Sequence, residues 1–196
     1  GCRLRPSPRG RPGIALIADA RAGPQEPDDA MDIEVLPADY ANAAHATALV
    51  QLLDAYAADP AGGGKGLSEF TRIHLVRELA ARPQAFSVLA FARGGPTGST
   101  PVGLVNCLEG FSTFACRPLV NVHDLAVMPA WRGKGVGRQM LALVESLARA
   151  RGACKLTLEV LAGNQSAMNL YRRCGFDGYQ LDPSMGSAQF LQKWLD

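Results

Sequence analysis

Leu125-Ala126-Val127-Met128-Pro129-Ala130-Trp131-Arg132-Gly133-Lys134-Gly135-Val136-Gly137-Arg138 is the stretch on which the fold turns. An apolar, β-rich run ends at Val127, and a loop with glycines at 133, 135 and 137 opens onto a helical pattern. Glycines let the backbone turn tightly and approach a ligand, while the N–H groups of a first helical turn point outward with partial positive charge. A junction of this kind binds phosphate or pyrophosphate. Arg132, Lys134 and Arg138 supply charge of the matching sign. Two nucleotide motifs do not fit: Lys134 and Lys65 are each followed by Gly rather than Ser or Thr, as a P-loop requires, and the spacing G-x-G-x-G is not the dinucleotide G-x-G-x-x-G. A tight strand-to-helix turn that binds nothing is the alternative reading.

Upstream of this junction, Phe86 to Ala92 and Val102 to Leu108 form a hairpin pattern around a long Gly/Pro loop, and Leu119 to Val127 adds a third strand. Before them come a strand at Ile33 to Leu36 and two helices. The first, capped by Asp39, carries Ala46, Leu49, Val50, Leu53 and Ala57 on one face; the second is capped by Ser68 and stopped by Pro83. Downstream, Val136, Met140, Leu143, Val144 and Leu147 mark a helix that Gly152 ends. Cys154 to Val160 alternates as a half-exposed strand, Gln165 to Cys174 is a short helix, and Phe176 to Leu181 and Ala188 to Leu195 read as two last strands. The fold class is α/β (α+β), with a mixed, mostly antiparallel central sheet of about seven strands and helices on both faces.

The chain of 196 residues is 47% hydrophobic, enough for one domain with a sizeable core. Its 20 basic and 18 acidic residues nearly cancel, which argues against nucleic acid or an anionic membrane as partner. No apolar run reaches the roughly 18 residues that a membrane span needs. The five cysteines contain no C-x-x-C pair and fit a reduced, cytoplasmic protein. Residues 1–30 intersperse Arg3, Arg5, Arg9, Arg11 and Arg21 with prolines and are read as a disordered extension, with the domain running over 31–196.

Arg132-Gly133-Lys134-Gly135-Val136-Gly137 meets the pattern [RQ]-x-x-G-x-[GA], and here the chain resembles the GNAT superfamily of N-acetyltransferases. The resemblance extends to Leu125-Ala126-Val127 and Pro129 before the motif, and to Asn164, Ala167, Leu170-Tyr171 and Gly175-Phe176 after it. It implies acetyl-CoA as co-substrate, its pyrophosphate held by backbone amides from Arg132 through Arg138. It also implies that the pantetheine arm pairs with the edge of the strand through Leu125 and Val127, and that the Val127 N–H faces the thioester oxygen. Asn164 caps its helix or binds the pantetheine. A homodimer is expected by the same analogy, and the loops Asp59 to Ser68 and Gly110 to Arg117 are expected to wall the acceptor site.

The implied reaction is direct acetyl transfer to a primary amine of a small molecule (polyamine, amino-acid-like or aminoglycoside-like) or of a protein, with a small molecule favoured over a protein. Tyr171 matches the family's general acid for the leaving thiolate, while an amphipathic tyrosine packed on the sheet explains the same residue. For the base, His123 and Asp124 are the two titratable residues inside an apolar strand, and alternation places them on opposite faces. Histidine titrates near neutral pH, but a lone strand histidine also serves packing, and water is the third option. Cys107 invites a covalent route, for which no orienting third group is evident. No spacing of His, Cys and carboxylates marks a metal site. A CoA-binding module without catalysis is the alternative to an enzyme.

Overall fold

The computed structural model describes residues 32–95, 98–179, 182, 184, 186 and 188–195. The extension expected at 1–30 and the domain start at Met31 lie outside the described residues. Strand β1 (Ile33–Pro37) leads through a turn to helix α1 (Ala43–Ala58) and helix α2 (Glu69–Ala80). The cap of α1 is Asn42, whose side chain accepts the Ala44 and His45 N–H groups, and not the expected Asp39. Asp39 instead closes the preceding turn by accepting the Ala41 N–H. Ser68 caps α2 as expected, and the helix ends at Ala80 ahead of Pro83.

Strands β2 (Ala85–Gly95), β3 (Gly98–Ser112) and β4 (Arg117–Val127) form an antiparallel meander, with β1 antiparallel to β2. Helix α3 (Val136–Ala150) crosses back, and the short strand β5 (Leu156–Leu158) pairs parallel to β4 before helix α4 (Gln165–Arg173). The order is β1-β2-β3-β4-β5. Alternate residues of the meander serve two cores. Val88, Ala90, Val102, Val105, Cys107, Val120 and Val122 pack with α3 and with Tyr171 of α4. Leu89, Phe91 and Leu104 pack against Ala48, Leu49, Leu52 and Leu53 of α1. Helices therefore cover both faces, as expected.

Among the described residues the sheet has five strands and not about seven. In the two segments read as last strands, the described residues 176–179 and 188–195 are irregular and pair with no strand. Asp177-Gly178 is a turn pair, with Asp177 accepting the Gly178 N–H. In the final segment Phe190-Leu191 and Trp194-Leu195 place apolar residues side by side, so a strand would present them on both faces at once. All four are exposed.

Two glycines set how closely α3 approaches its neighbours. A Cβ at Gly103 would lie 2.8 Å from Met140 Cε, so β3 admits α3 only because that position is bare. A Cβ at Gly137 would lie 2.8 Å from Leu170 Cδ2, which makes this third loop glycine a packing residue between α3 and α4. Gly137→Val is expected to lower the unfolding free energy by about 1–3 kcal/mol through overpacking. Urea denaturation would check it, and an unchanged midpoint would mean that α4 yields freely.

Candidate active site

The parallel ladder between β4 and β5 ends at Val122↔Leu158, so from His123 to Val127 the β5 side of β4 has no partner strand among the described residues. A bulge causes the change. The register steps from Asn106↔Asp124 to Cys107↔Val122, leaving His123 as the extra residue of β4. Simple alternation would put Val122 and Asp124 on one face. With the bulge, Val122 joins the α3 core while Asp124 turns toward α1, where Asn106 Nδ2 donates to its Oδ2 at 3.0 Å. His123 is exposed and makes no side-chain hydrogen bond among the described residues. Leu125 and Val127 are half-buried against the α3 core, opposite Val105 and Gly103.

Just beyond the open edge stands the glycine junction. Gly133 and Gly135 have φ of 77° and 81°, a left-handed backbone that side-chain-bearing residues rarely adopt. Gly135 is the N-cap of α3 and offers no side chain, so the first-turn N–H groups lack the cap that Asn42, Ser68 and Asn164 give α1, α2 and α4. Val136 buries its side chain in the core and leaves only its backbone to the loop. Lys134 lies over the Trp131 ring at 5.1 Å, and Arg138 is exposed. The side chain of Arg132 is engaged elsewhere: its Nε donates to the Val127 carbonyl at 3.0 Å and its Nη2 to Asp59 Oδ2 at 2.9 Å. That bond, then the Ala61 N–H, holds the Asp59 carboxyl below the ordinary carboxylate range.

Asp59 closes α1 and opens the loop toward α2, so Arg132 ties the glycine junction to the loop expected to wall the acceptor site. Asp54 secures the far end of that loop by accepting the Leu67 N–H and the Arg72 guanidinium. Asn164 caps α4 with its Oδ1 on the Ala167 N–H.

Tyr171 is 9% exposed, edge-on to Phe176, and burial, with Tyr56 and Cys174 adding to it, pushes its hydroxyl up to about 12. It makes no side-chain hydrogen bond among the described residues, yet it is not a buried orphan, so solvent reaches the oxygen. Tyr56 of α1 was not singled out from the sequence. Burial, then the charges of Asp124 and Asp59, push its hydroxyl up. Tyr171 comes from the α3 side of the sheet and Tyr56 from the α1 side, and Tyr56 is close enough to add to the upward shift of the Tyr171 hydroxyl. Cys107 faces the α3 core, with its thiol pushed up to about 12 by burial, on the opposite face of the sheet from Asp124. Among the described residues no three His, Cys, Asp or Glu side chains gather as metal ligands, and no helix is long and apolar enough to cross a membrane.

A family model described as acetyltransferase (GNAT) family matches residues 49–176, which take in the site from Tyr56 to Tyr171. Thialysine N-epsilon-acetyltransferase of Mus musculus is 36% identical over 122 residues, 56% of this chain and 71% of the mouse protein. Streptothricin acetyltransferase of Streptomyces lavendulae is 38% identical over 87 residues, 43% of this chain and 46% of that relative, so the match spans less than half of its length. The solved structure of AAC(6')-Iy with a CoA-S-monomethyl-acetylneamine bisubstrate analogue superposes with a TM-score of 0.64. It covers 84% of this chain and 99% of that one at 16% identity, a likeness of fold. With the family model spanning more than half of its residues, the chain belongs to the acetyltransferase (GNAT) family of acyltransferase enzymes.

Proposed function

We propose that the protein transfers the acetyl group of acetyl-CoA directly to a primary amine of a small molecule. The observation that carries this reading is the side-by-side placement of an uncapped, glycine-built helix N-terminus and an unpaired strand edge, His123 to Val127. The first suits a pyrophosphate, since N–H groups without protein acceptors meet an anion with the helix dipole in its favour. The second suits an extended pantetheine arm adding to the sheet by main-chain hydrogen bonds. A small amine as acceptor is supported by the relatives named for streptothricin and thialysine and by the aminoglycoside enzymes that share the fold.

At pH 7 a lysine-like amine is roughly 0.04% free base. In the proposed path the ammonium first gives one proton to solvent. Its nitrogen then attacks the thioester carbon, and the N–H⁺ of the tetrahedral adduct, now strongly acidic, passes a second proton to the Asp124 carboxylate or through it to water. The C–S bond breaks and the thiolate receives a hydrogen bond or a proton from Tyr171, which solvent restores. One proton is released overall. Asp124 takes the base role here in preference to His123, because its carboxylate is held toward α1 by Asn106 while His123 has no partner among the described residues. The unpaired edge at His123 keeps a second reading open to test, in which imidazole replaces the carboxylate.

Magnitudes decide how Tyr171 acts. A phenol at about 12 stands roughly 3.5 units above a thiol near 8.5, so full transfer to a free thiolate is uphill by about 5 kcal/mol. Tyr171 therefore acts chiefly as a donor that stabilises charge as it grows on sulfur. Its folded value lies above the ordinary tyrosine value of 10, so the folded chain keeps the proton longer than the unfolded one, and stability falls as pH rises from 10 toward 12. Cys107 takes no part: at about 12 its thiolate fraction near pH 7 is roughly 10⁻⁵, and it lies on the other face of the sheet.

Thiol release from acetyl-CoA, followed with streptothricin, thialysine and neamine while acetyl-CoA binding is titrated calorimetrically, tests the whole reading. Binding with amine-dependent release is expected; binding with no release by any amine would favour an acyl-CoA-binding module, and absence of binding would remove the proposal. Tyr171→Phe should cut kcat by about 10–100-fold, the low end of general-acid effects, with acetyl-CoA affinity within about twofold of the parent. Equal turnover would return Tyr171 to packing. Cys107→Ala should keep kcat within about twofold, and an inactive but folded variant would revive the covalent route.

A further inference from the structure

Across the face of the sheet that meets α1 runs a row of polar side chains that ends on Asp124 and whose other members take no direct part in the reaction as described. Ser87, Asn106 and Asp124 stand opposite one another on β2, β3 and β4, in the register pairs Ser87↔Asn106 and Asn106↔Asp124. Ser87 Oγ donates to Asn106 Oδ1 at 2.6 Å, and Asn106 Nδ2 donates to Asp124 Oδ2 at 3.0 Å. Tyr40, which follows β1, brings its hydroxyl to 2.9 Å from Ser87 Oγ. Ser87 is 1% exposed and Asn106 6%. The row thus runs from the turn after β1 across β2 and β3 to Asp124 on β4.

The direction of every proton in the row follows from its last member. An ionised carboxylate only accepts, so the Asn106 amide must turn its NH₂ to Asp124 and its oxygen to Ser87. Ser87 must then donate to that oxygen, and Tyr40 must donate to Ser87. Burial raises the Tyr40 hydroxyl, against the Ser87 bond, and keeps it a donor at neutral pH. Each dipole therefore points its positive end toward Asp124. A neutral Asp124 would not fix this order, since a protonated carboxyl can donate. The row is satisfied along its length, as no buried polar side-chain atom among the described residues lacks a partner.

Asp124 is half-buried, forms no ion pair among the described residues, and keeps Oδ1 free of hydrogen bonds there. That oxygen is not a buried orphan and so reaches solvent. A half-buried carboxylate with one neutral donor and no cation is short of positive charge. The charged and titratable groups that feel it, Tyr56 on α1 and Cys107 on β3, supply none. Arg132, the nearby guanidinium of the glycine junction, is committed to Asp59.

We infer that Tyr40, Ser87 and Asn106 are positioning residues that fix the Asp124 carboxylate in one orientation, with Oδ1 presented to the ammonium of the acceptor amine as ligand and then as proton acceptor. The inference rests on the acetyl-transfer reading and adds to it a buried origin for the placing of the acceptor. Asn106 and Ser87 touch no substrate; they act through Asp124.

The test is a KM-against-kcat comparison on the full chain with streptothricin, thialysine and neamine as probes. Asn106→Leu is expected to lower kcat/KM for the amine by about 10–100-fold, in line with the loss of a hydrogen bond to a charged group, and Ser87→Ala by about 2–10-fold, in line with the loss of a neutral one, both leaving KM for acetyl-CoA within about twofold. Ser87→Thr keeps the hydroxyl and is expected to recover most of the loss. A row that only stabilised the fold would depress melting temperature without separating the two substrates. Should Asn106→Leu fail to fold, the Ser87→Ala and Ser87→Thr pair still decides. Unchanged amine kinetics in a folded Ser87→Ala variant, or a fall shared equally by acetyl-CoA, would overturn the inference while leaving acetyl transfer standing. A parent protein that releases no thiol with any of the three amines would instead bring down the acetyl-transfer reading and this inference with it.

Discussion

The bulge at His123 is the constraint on which the rest of the site depends. Without it β4 would keep strict alternation, and Asp124 would point with Val122 into the apolar core beneath α3, where a carboxylate costs several kcal/mol unless paired. One inserted residue turns Asp124 to the α1 face and coincides with the point where β5 stops following β4. The parting of these two strands lets groups from opposite faces of the sheet converge: Tyr171 from the α3 side, Tyr56 from the α1 side, and the α3 N-terminus just past the strand end.

The three glycines of the junction do different work, and only two of them concern the ligand directly. Gly133 and Gly135 allow a left-handed backbone that aims N–H groups outward. Gly137 lets Leu170 close against α3 and so sets where its neighbour Tyr171 stands. In the proposed reaction the motif thus couples phosphate binding to the placing of Tyr171 as acid. Arg132 extends the coupling in the other direction, since one guanidinium holds both the Val127 carbonyl and Asp59 at the mouth of the acceptor loop. Position 132 is therefore a brace for the site rather than a free charge for the pyrophosphate.

Much of this was legible in the sequence, because it is written in local patterns. The meander, the glycine junction, α3 and α4 follow from periodicity and from glycine placement, and Tyr171 and Asn164 follow from a family resemblance spread over two blocks. The failures share a cause as well. The cap at Asn42 and the bulge at His123 depend on where hydrogen bonds are made, which composition does not reveal. Two extra strands were read from apolar content alone, although Phe190-Leu191 and Trp194-Leu195 lack the alternation of a one-sided strand. The row from Tyr40 to Asp124 joins residues 18 to 47 positions apart, and Tyr56 stands 68 positions before the Asp124 whose charge it feels, so no local window contains them.

That row also bears on why the sheet carries polar residues at its centre. Fold alone would be served by valine or leucine at 87 and 106, as at their neighbours Val88, Leu89, Leu104 and Val105, each of them fully buried. A buried neutral hydrogen bond adds only about 1 kcal/mol net, and an unsatisfied partner costs more than that, so such a row is a poor means of stabilising a core. A network of this kind is favoured where its far end must be held in one orientation. Here the far end is the Asp124 carboxylate on the open strand edge, which has no cation of its own among the described residues, and in the proposed reaction the missing charge is the one that a primary amine carries into the site.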